Sequence, residues 1–194
     1  MPQVNKNSPA GEFLEILSQE TERLNKVVNN FLSFAKPAKP DLLPCKAEEI
    51  IEPVIKLLKP ELEKNNIFIK KEIEKDLPEI YGDTQQLQQV FLNIALNAIQ
   101  SMTDGGNLYM SIKKSETHIN IDFHDTGTGI SKENLEKLFT PFFITKKEGN
   151  GLGLAISYRI IENHRGEISV ESELNRGSIF SIKLPYVVQN RDNR

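Results

Sequence analysis

The sequence contains a single cysteine and no long apolar run, and each of these shortages excludes a class of protein. One thiol, Cys45, cannot form an internal disulfide framework and suits a reducing compartment, where we expect it as a small buried residue. No apolar stretch reaches the roughly 20 residues that span a bilayer, and the N-terminus lacks the apolar region of a signal peptide. We therefore expect a cytoplasmic chain without membrane contact of its own, while a parent protein anchored in the inner membrane stays open.

An excess of charge of either sign is also missing. The 24 Lys and Arg residues nearly balance the 27 Asp and Glu residues, for a formal net charge of −3. These charges are mixed along the chain, so nothing favours a nucleic acid partner. With 194 residues, of which 38% are hydrophobic, the chain is long enough for one core and an appendage.

The appendage is a predicted N-terminal helix with an apolar seam. Ser8 and Pro9 suit a helix start, and apolar side chains then recur at spacings of four and three. Glu20 is the one polar member of the series. The apolar members are Phe13, Leu17, Leu24, Val27, Phe31 and Phe34. A seam of this kind needs a second helix, so residues 9–36 predict a homodimer; a helix folded back onto the main domain is the alternative.

Prolines at 37, 40 and 44 end this helix and predict a linker. The predicted division is a helical part at 1–36, a linker at 37–46, a main domain at 47–187 and a polar tail at 188–194. Helices are predicted over 47–64, 83–102, 131–138 and 151–164. Pro53 and Pro60 should bound or kink the first of them. Strands are predicted over 67–73, 80–81, 108–112, 119–123, 168–171 and 179–184.

Two asparagines stand out in the second predicted helix. Asn93 and Asn97 are four residues apart and therefore share one helix face, among mostly apolar neighbours. Buried amides need partners, because an unpaired buried polar group costs about 1–3 kcal/mol. The amide oxygen is a ligand that Mg²⁺ accepts, since this hard ion prefers oxygen and keeps several waters. A structural amide that bonds nearby backbone is the alternative.

Asp125 closes the strand predicted from Ile119. Alternation places it on the same core-facing row as Ile121 and Phe123, where a carboxylate is costly unless a ligand satisfies it. A carboxylate only accepts hydrogen bonds, so it suits the exocyclic amino group of adenine and repels the carbonyl of guanine. Gly127 and Gly129 leave room for a flat base. A turn aspartate is the alternative.

The stretch Gly-Asn-Gly-Leu-Gly-Leu-Ala-Ile at 149–156 predicts a glycine-rich loop that leads into a helix. Unpaired N–H groups and the positive end of the helix dipole make such an N-terminus a phosphate site. Lys146 and Lys147 lie just before it and suit the charge of a triphosphate. An ordinary turn with a solvated charge pair is the alternative.

Together these segments resemble the boxes of the GHKL superfamily, most closely the ATP-binding domain of bacterial sensor histidine kinases. The N box corresponds to 93–98, the G1 box to 125–130, the F box to 138–143, the G2 box to 149–154 and the terminal glycine turn to 176–180. The resemblance covers about residues 45–185. It implies an α+β fold, a two-layer α/β sandwich of the Bergerat type. In that fold a mixed, mostly antiparallel sheet is covered by helices on one face, here after a long N-terminal helix.

The resemblance also implies residue roles for ATP or ADP with Mg²⁺. Asn97 would ligate the metal, Asp125 would read adenine, and Asn93 and Lys146 would serve catalysis. The implied lid runs from Phe139 to Gly151. The implied nucleotide-binding residues are Asn93, Asn97, Asp125, Gly127, Gly129, Ile130, Phe139, Thr145, Lys146, Gly149, Gly151, Leu152, Gly153, Leu154 and Ser178.

The implied reaction transfers the γ-phosphoryl of Mg-ATP to a histidine, for relay to a response regulator receiver domain. Residues 22–37 resemble the second helix of the dimerisation hairpin, but no histidine here has the acceptor setting His-Glu-x-x-Asn-Pro. We expect His118, His124 and His164 at the surface, and the acceptor helix outside this chain, on the same or the sister protomer. Asn93 stands where gyrase-like ATPases of the superfamily have a glutamate, which favours a kinase over an ATPase. A nucleotide-gated interaction module and an anti-sigma-type serine kinase are the alternatives.

Overall fold

A computed structural model describes residues 39–144 and 151–186, together with residues 11, 13–18, 20, 21, 24, 25, 28 and 32. The chain forms two compact units, Met1–Ala38 and Lys39–Arg194. In the first unit the described residues are helical, as the heptad pattern predicts. Phe13, Leu17 and Leu24 of the predicted seam are exposed. Val27, Phe31 and Phe34 lie outside the described residues, so the pairing of the seam stays a prediction.

The second unit is built around a five-stranded sheet with a separate pair of short strands. The strands are β1 (Leu43–Cys45), β2 (Ile67–Ile73), β3 (Ile80–Gly82), β4 (Gly106–Lys114), β5 (His118–Asp125), β6 (Glu167–Glu173) and β7 (Gly177–Pro185). The helices are α1 (Ala47–Lys64), α2 (Thr84–Ser101), α3 (Lys132–Leu135) and α4 (Gly153–Asn163). The large sheet has the order β2-β4-β5-β7-β6, and β1 pairs with β3.

The pairing confirms the predicted fold class. Only β2 and β4 run parallel, and the other neighbours of the large sheet are antiparallel. Burial alternates along β5: Ile119, Ile121 and Phe123 are buried, whereas His118 and His124 are half-buried on the other face. The apolar faces of α1, α2 and α4 supply the rest of the core. Helices therefore cover one face of the sheet, and a polar row is left on the other.

Three expectations about local structure need correction. Residues 43–45, predicted as linker, form β1, in which Pro44 is tolerated because the strand has a partner on one side only. Helix α1 runs through Pro53 and Pro60, so neither proline bounds it; its buried row against the sheet outweighs their cost of about 3 kcal/mol. The helix predicted over 131–138 is regular only over Lys132–Leu135.

Cys45 is half-buried in β1 rather than buried. Its Sγ lies 3.6 Å from the carbonyl oxygen of Ile80 and 3.7 Å from that of Gly82. Burial raises the pKa of this thiol, so it stays protonated near neutral pH.

The expectation that His164 lies at the surface is wrong, since it is only 3% exposed. Its Nδ1 lies 2.7 Å from the carbonyl oxygen of Ile160, and its Nε2 accepts a hydrogen bond from the N–H of Asp83 at 2.9 Å. A nitrogen that accepts from an N–H carries no proton, so the ring is neutral with its proton on Nδ1. Desolvation by burial lowers the pKa of His164.

Candidate functional site

Asp125 ends β5 where the alternation places it, on the row that faces the helices. The residue is only 2% exposed. Its Oδ1 accepts the N–H of Gly127 at 2.8 Å and lies 3.0 Å from the Oγ of Ser101, the last residue of α2. The strand thus delivers a carboxylate to the interior edge of the sheet, where two donors from neighbouring segments meet it.

The glycines after Asp125 are required by the protein itself. Gly129 has φ +66°, and a Cβ there would stand 2.1 Å from the carbonyl oxygen of Glu173. A Cβ on Gly127 would stand 2.2 Å from the Oγ of Ser101. The interpretation that these glycines only leave room for a base is therefore incomplete, because both also allow the loop to pack against its neighbours.

This loop is anchored on both sides by backbone contacts. The N–H of Thr128 donates to the carbonyl oxygen of Ser101 at 3.0 Å, and the N–H of Asn175 donates to the carbonyl oxygen of Thr128 at 2.7 Å. The N–H of Ile130 donates to the Oγ of Ser172 at 2.8 Å. Helix α2 and the β6–β7 turn therefore hold the loop between them.

Ser178 lies beside Asp125, its partner in the β5–β7 register. Its side chain is buried, and its Oγ lies 3.0 Å from that of Ser172. Ser172 in turn donates to the carbonyl oxygen of Gly177 at 2.7 Å. The predicted residue Ser178 is thus brought to Asp125, together with a serine that the sequence did not single out.

Asn93 and Asn97 lie half-buried on one face of α2, as predicted. The Nδ2 of Asn93 donates to the carbonyl oxygen of Gly153 at 3.1 Å and to the Oγ of Ser157 at 3.3 Å. Ser157 is fully buried and donates to the same carbonyl at 3.0 Å. Because a carbonyl oxygen only accepts, these contacts assign the orientation of the Asn93 amide and join α2 to the first turn of α4.

Gly151 and Phe142 are joined through the backbone. The N–H of Phe142 donates to the carbonyl oxygen of Gly151 at 2.9 Å. Gly151 has φ +65°, and a Cβ there would lie 2.6 Å from the carbonyl carbon of Phe142. Two residues within the range of the predicted lid are therefore held together. Thr145, Lys146 and Gly149 lie outside the described residues.

The remaining predicted residues occupy different environments. Leu152 is fully buried and caps α4, so its side chain belongs to the core, while Leu154 is half-buried. The Phe139 ring packs against Tyr158, with centroids 5.4 Å apart. Sequence reasoning missed Ser101 and Ser157, although a signal existed. Each lies four residues after a singled-out position, Asn97 and Gly153, and so on the same helix face.

The donor set restricts which metal could bind. Within the described ranges, no group of three or more His, Cys, Asp or Glu side chains could hold a metal ion. The half-buried amide of Asn97 offers one hard oxygen, which would suit Mg²⁺ only if phosphate oxygens and waters completed the shell of the ion. Among the same residues, no helix combines the length and the apolar character of a membrane span.

Comparison with known proteins gives a consistent result. Residues 82–188 match the family model described as "Histidine kinase-, DNA gyrase B-, and HSP90-like ATPase". The chain is similar to Sporulation kinase E of Bacillus subtilis (strain 168), with 38% identity over 99% of this chain and 26% of the relative. It is similar to the structure of full-length ShkA in complex with AMPPNP. The TM-score is 0.84 at 26% identity, over 95% of this chain and 40% of that one.

A third likeness is to the histidine kinase ThkA, solved in complex with the response regulator protein TrrA. The TM-score is 0.78 at 25% identity, over 97% of this chain and 55% of that one. The chain spans about a quarter of the curated relative and at most about half of these two solved chains.

Proposed function

This chain belongs to the family of histidine kinase-, DNA gyrase B- and HSP90-like ATPases, and from that premise we propose that it is the ATP-binding catalytic part of a sensor histidine kinase. In this proposal it binds Mg-ATP and transfers the γ-phosphoryl group to a histidine on a dimerisation hairpin. The observation that carries the proposal is the buried carboxylate of Asp125, held by two donors at the end of β5. These donors hold one oxygen of the carboxylate, and the exocyclic amino group of adenine would donate to the other.

The phosphate groups would lie over the start of α4. No side chain among the described residues caps this helix, so the backbone N–H groups of its first turn and the positive end of an 11-residue helix suit an anion. Gly151 and Gly153 would cradle the phosphates, and Asn97 would give one oxygen to the Mg²⁺ that arrives with ATP. Thr145, Lys146 and Gly149 are proposed to approach the phosphates from the lid.

Asn93 supports transfer to a protein over hydrolysis. An amide has no useful basicity, and its Nδ2 is occupied by Gly153 and Ser157, so it cannot activate a water as a carboxylate would. Phosphoryl transfer needs positioning and charge neutralisation more than covalent chemistry from the protein. We therefore assign Asn93 the role of holding α2 and α4 in register beside the phosphates.

The proposed partners follow from the relatives. ThkA was solved in complex with the response regulator protein TrrA, which supports a receiver domain as the final acceptor. The acceptor histidine would lie on a helix of the same or the sister protomer, with residues 9–36 forming the dimer contact.

A transfer assay tests this function. The full chain is mixed with a separately produced acceptor hairpin and γ-labelled ATP, and label on the hairpin is the expected result. Label absent from the hairpin, with ATP still bound, would favour the interaction module instead.

Asn97→Ala is the accompanying variant. We expect it to lose Mg-ATP binding by calorimetry and to leave the hairpin unlabelled, because the metal loses the oxygen that Asn97 is proposed to supply. Asn120→Ala removes a half-buried amide from the opposite face of the sheet and should change neither result. Unchanged nucleotide affinity in Asn97→Ala would contradict the magnesium role.

A further inference from the structure

We propose that Ser101 positions Asp125, so that the protein holds one carboxylate oxygen and the base receives the other. Ser101 thereby becomes a determinant of the preference for adenine. This inference rests on the proposed function, because it takes the ligand to be an adenine nucleotide.

The hydrogen bonds of Asp125 are divided unequally between its two oxygens. Oδ1 accepts the N–H of Gly127 at 2.8 Å and lies 3.0 Å from the Oγ of Ser101. Oδ2 accepts no hydrogen bond from any residue that the structure describes. A carboxylate oxygen in a residue only 2% exposed gains most from a new donor when it has none, so Oδ2 is the atom left for a ligand.

The hydroxyl of Ser101 has one hydrogen and two acceptors within reach. The carbonyl oxygen of Ala98 lies 2.7 Å from Oγ, and the Oδ1 of Asp125 lies 3.0 Å away. A hydrogen bond to an ionised acceptor is about twice as strong as one between neutral groups. The carboxylate of Asp125 therefore competes with the nearer carbonyl oxygen of Ala98 for the hydroxyl hydrogen. The hydroxyl thus serves Asp125 as well as the backbone of its own helix.

Close packing fixes the position of this hydroxyl. The carbonyl oxygen of Ser101 accepts the N–H of Thr128 at 3.0 Å, and a Cβ on Gly127 would stand 2.2 Å from the Oγ of Ser101. Only a glycine at 127 lets its own N–H and the serine hydroxyl reach the same carboxylate oxygen. Helix α2 and the loop after β5 thus aim Asp125 jointly.

The expected consequence is base discrimination. With two donors on Oδ1, the carboxylate cannot turn about its last bond without losing one of them, so Oδ2 keeps facing the base. An amino group at purine position 6 donates to Oδ2, whereas a carbonyl there opposes it. Without the serine hydroxyl, the carboxylate has one anchor and can turn, which weakens the bond to the amino group and relieves the repulsion of the carbonyl.

The test compares ATP with inosine triphosphate, which has the carbonyl at position 6, by calorimetry on the full chain with Mg²⁺. For Ser101→Ala we expect ATP affinity to fall roughly tenfold, as for loss of a hydrogen bond to a charged group. The ratio of the two dissociation constants should fall toward one. If Ser101 were merely structural, its loss would weaken the binding of both nucleotides equally and leave the ratio unchanged. That result would overturn the inference.

Ser111→Ala is the matched control. It removes another serine–aspartate hydrogen bond, the one of 3.1 Å between Ser111 and Asp122, which joins β4 to β5 on the opposite face of the sheet. The ratio of the two dissociation constants should stay at the wild-type value. If Ser101→Ala does not fold, Ser101→Cys replaces the hydroxyl by a thiol of similar size that is only a weak donor. The ratio of the two dissociation constants in that variant is then compared with the wild-type ratio in the same way. Failure of the wild-type chain to bind either nucleotide would refute the proposed function. Wild-type binding with an unchanged variant ratio would refute the role of Ser101 alone.

Discussion

The two glycines that flank Leu152 differ in how strictly the local structure requires a residue without a side chain. Gly151 has φ +65° and lies against Phe142, where a Cβ would stand 2.6 Å from the carbonyl carbon. Gly153 begins α4, and a Cβ there would stand 3.7 Å from the Asn93 amide, which is ordinary contact. The fold therefore requires the first glycine, whereas only the proposed ligand requires the second.

This difference predicts opposite outcomes for two alanine variants. Gly151→Ala should lower the free energy of unfolding by about 2 kcal/mol or more, because of the left-handed backbone and the clash with Phe142. Gly153→Ala should match the wild type in thermal unfolding or exceed it slightly, since alanine suits a helix better. Its nucleotide affinity should nevertheless fall, because the methyl group occupies the approach of the phosphates. Undiminished ATP affinity of Gly153→Ala in calorimetry would contradict the phosphate cradle.

Among the elements, α2 contributes polar residues to several parts of the site. Three polar residues spaced by four lie along one face of it: Asn93 bonds the first turn of α4, Asn97 is the proposed metal ligand, and Ser101 meets Asp125. Its N-terminus is capped by the side chain of Asp83, whose own N–H donates to His164 at the end of α4. The two helices are thus joined at both ends of α4.

The His164 contact predicts a dependence of stability on pH. Desolvation lowers the pKa of the folded His164, while the unfolded residue titrates near about 6.5. The contribution of the neutral His164 ring to the free energy of unfolding is therefore complete above about pH 6.5. It is lost as pH falls from about 6.5 toward the folded pKa, and the free energy of unfolding then changes by at most about 1.4 kcal/mol per pH unit.

Urea unfolding at several pH values between about 5 and 7 measures this effect. The wild-type chain should lose more stability on acidification than His164→Gln, which does not titrate and is less stable throughout. Equal slopes in the wild type and His164→Gln would contradict the prediction.

For the whole molecule, the feature to explain is the exposure of apolar side chains in the N-terminal unit. Phe13, Leu17 and Leu24 are 62%, 47% and 63% exposed, although all three lie on the predicted seam. An exposed seam of this kind is stabilised when a second helix covers it. A second copy of the chain is the partner that the heptad pattern favours.

Size-exclusion chromatography with light scattering tests this expectation. The full chain should elute as a dimer, and Leu17→Glu with Leu24→Glu should convert it to a monomer by placing charges in the seam. Leu57→Glu replaces an exposed leucine on α1 and should leave the dimer intact. A strict monomer of the unchanged chain would count against the coiled-coil interpretation.

Much of the fold could be predicted from local pattern. Alternation along β5 correctly placed Asp125 on the buried row, and the helix predicted over 83–102 is observed as α2. The prediction that Pro53 and Pro60 bound the helix was wrong because it considered only their local effect on the backbone and not the buried face of α1. His164 misled because a histidine at a helix end suggests a solvated cation, and only the packing of α4 against the start of α2 reveals the neutral ring.

The sequence by itself determined the types and order of the functional groups: two amides on one helix face, a carboxylate on a buried strand row and a glycine-rich loop before a helix. Periodicity is a local property, so spacing alone is enough to reveal it. Only the tertiary structure decided which atoms meet, because the partners lie far apart in the chain. Ser101 reaches Asp125, Asn93 reaches Gly153 and His164 reaches Asp83 only after the sheet has brought the helices together.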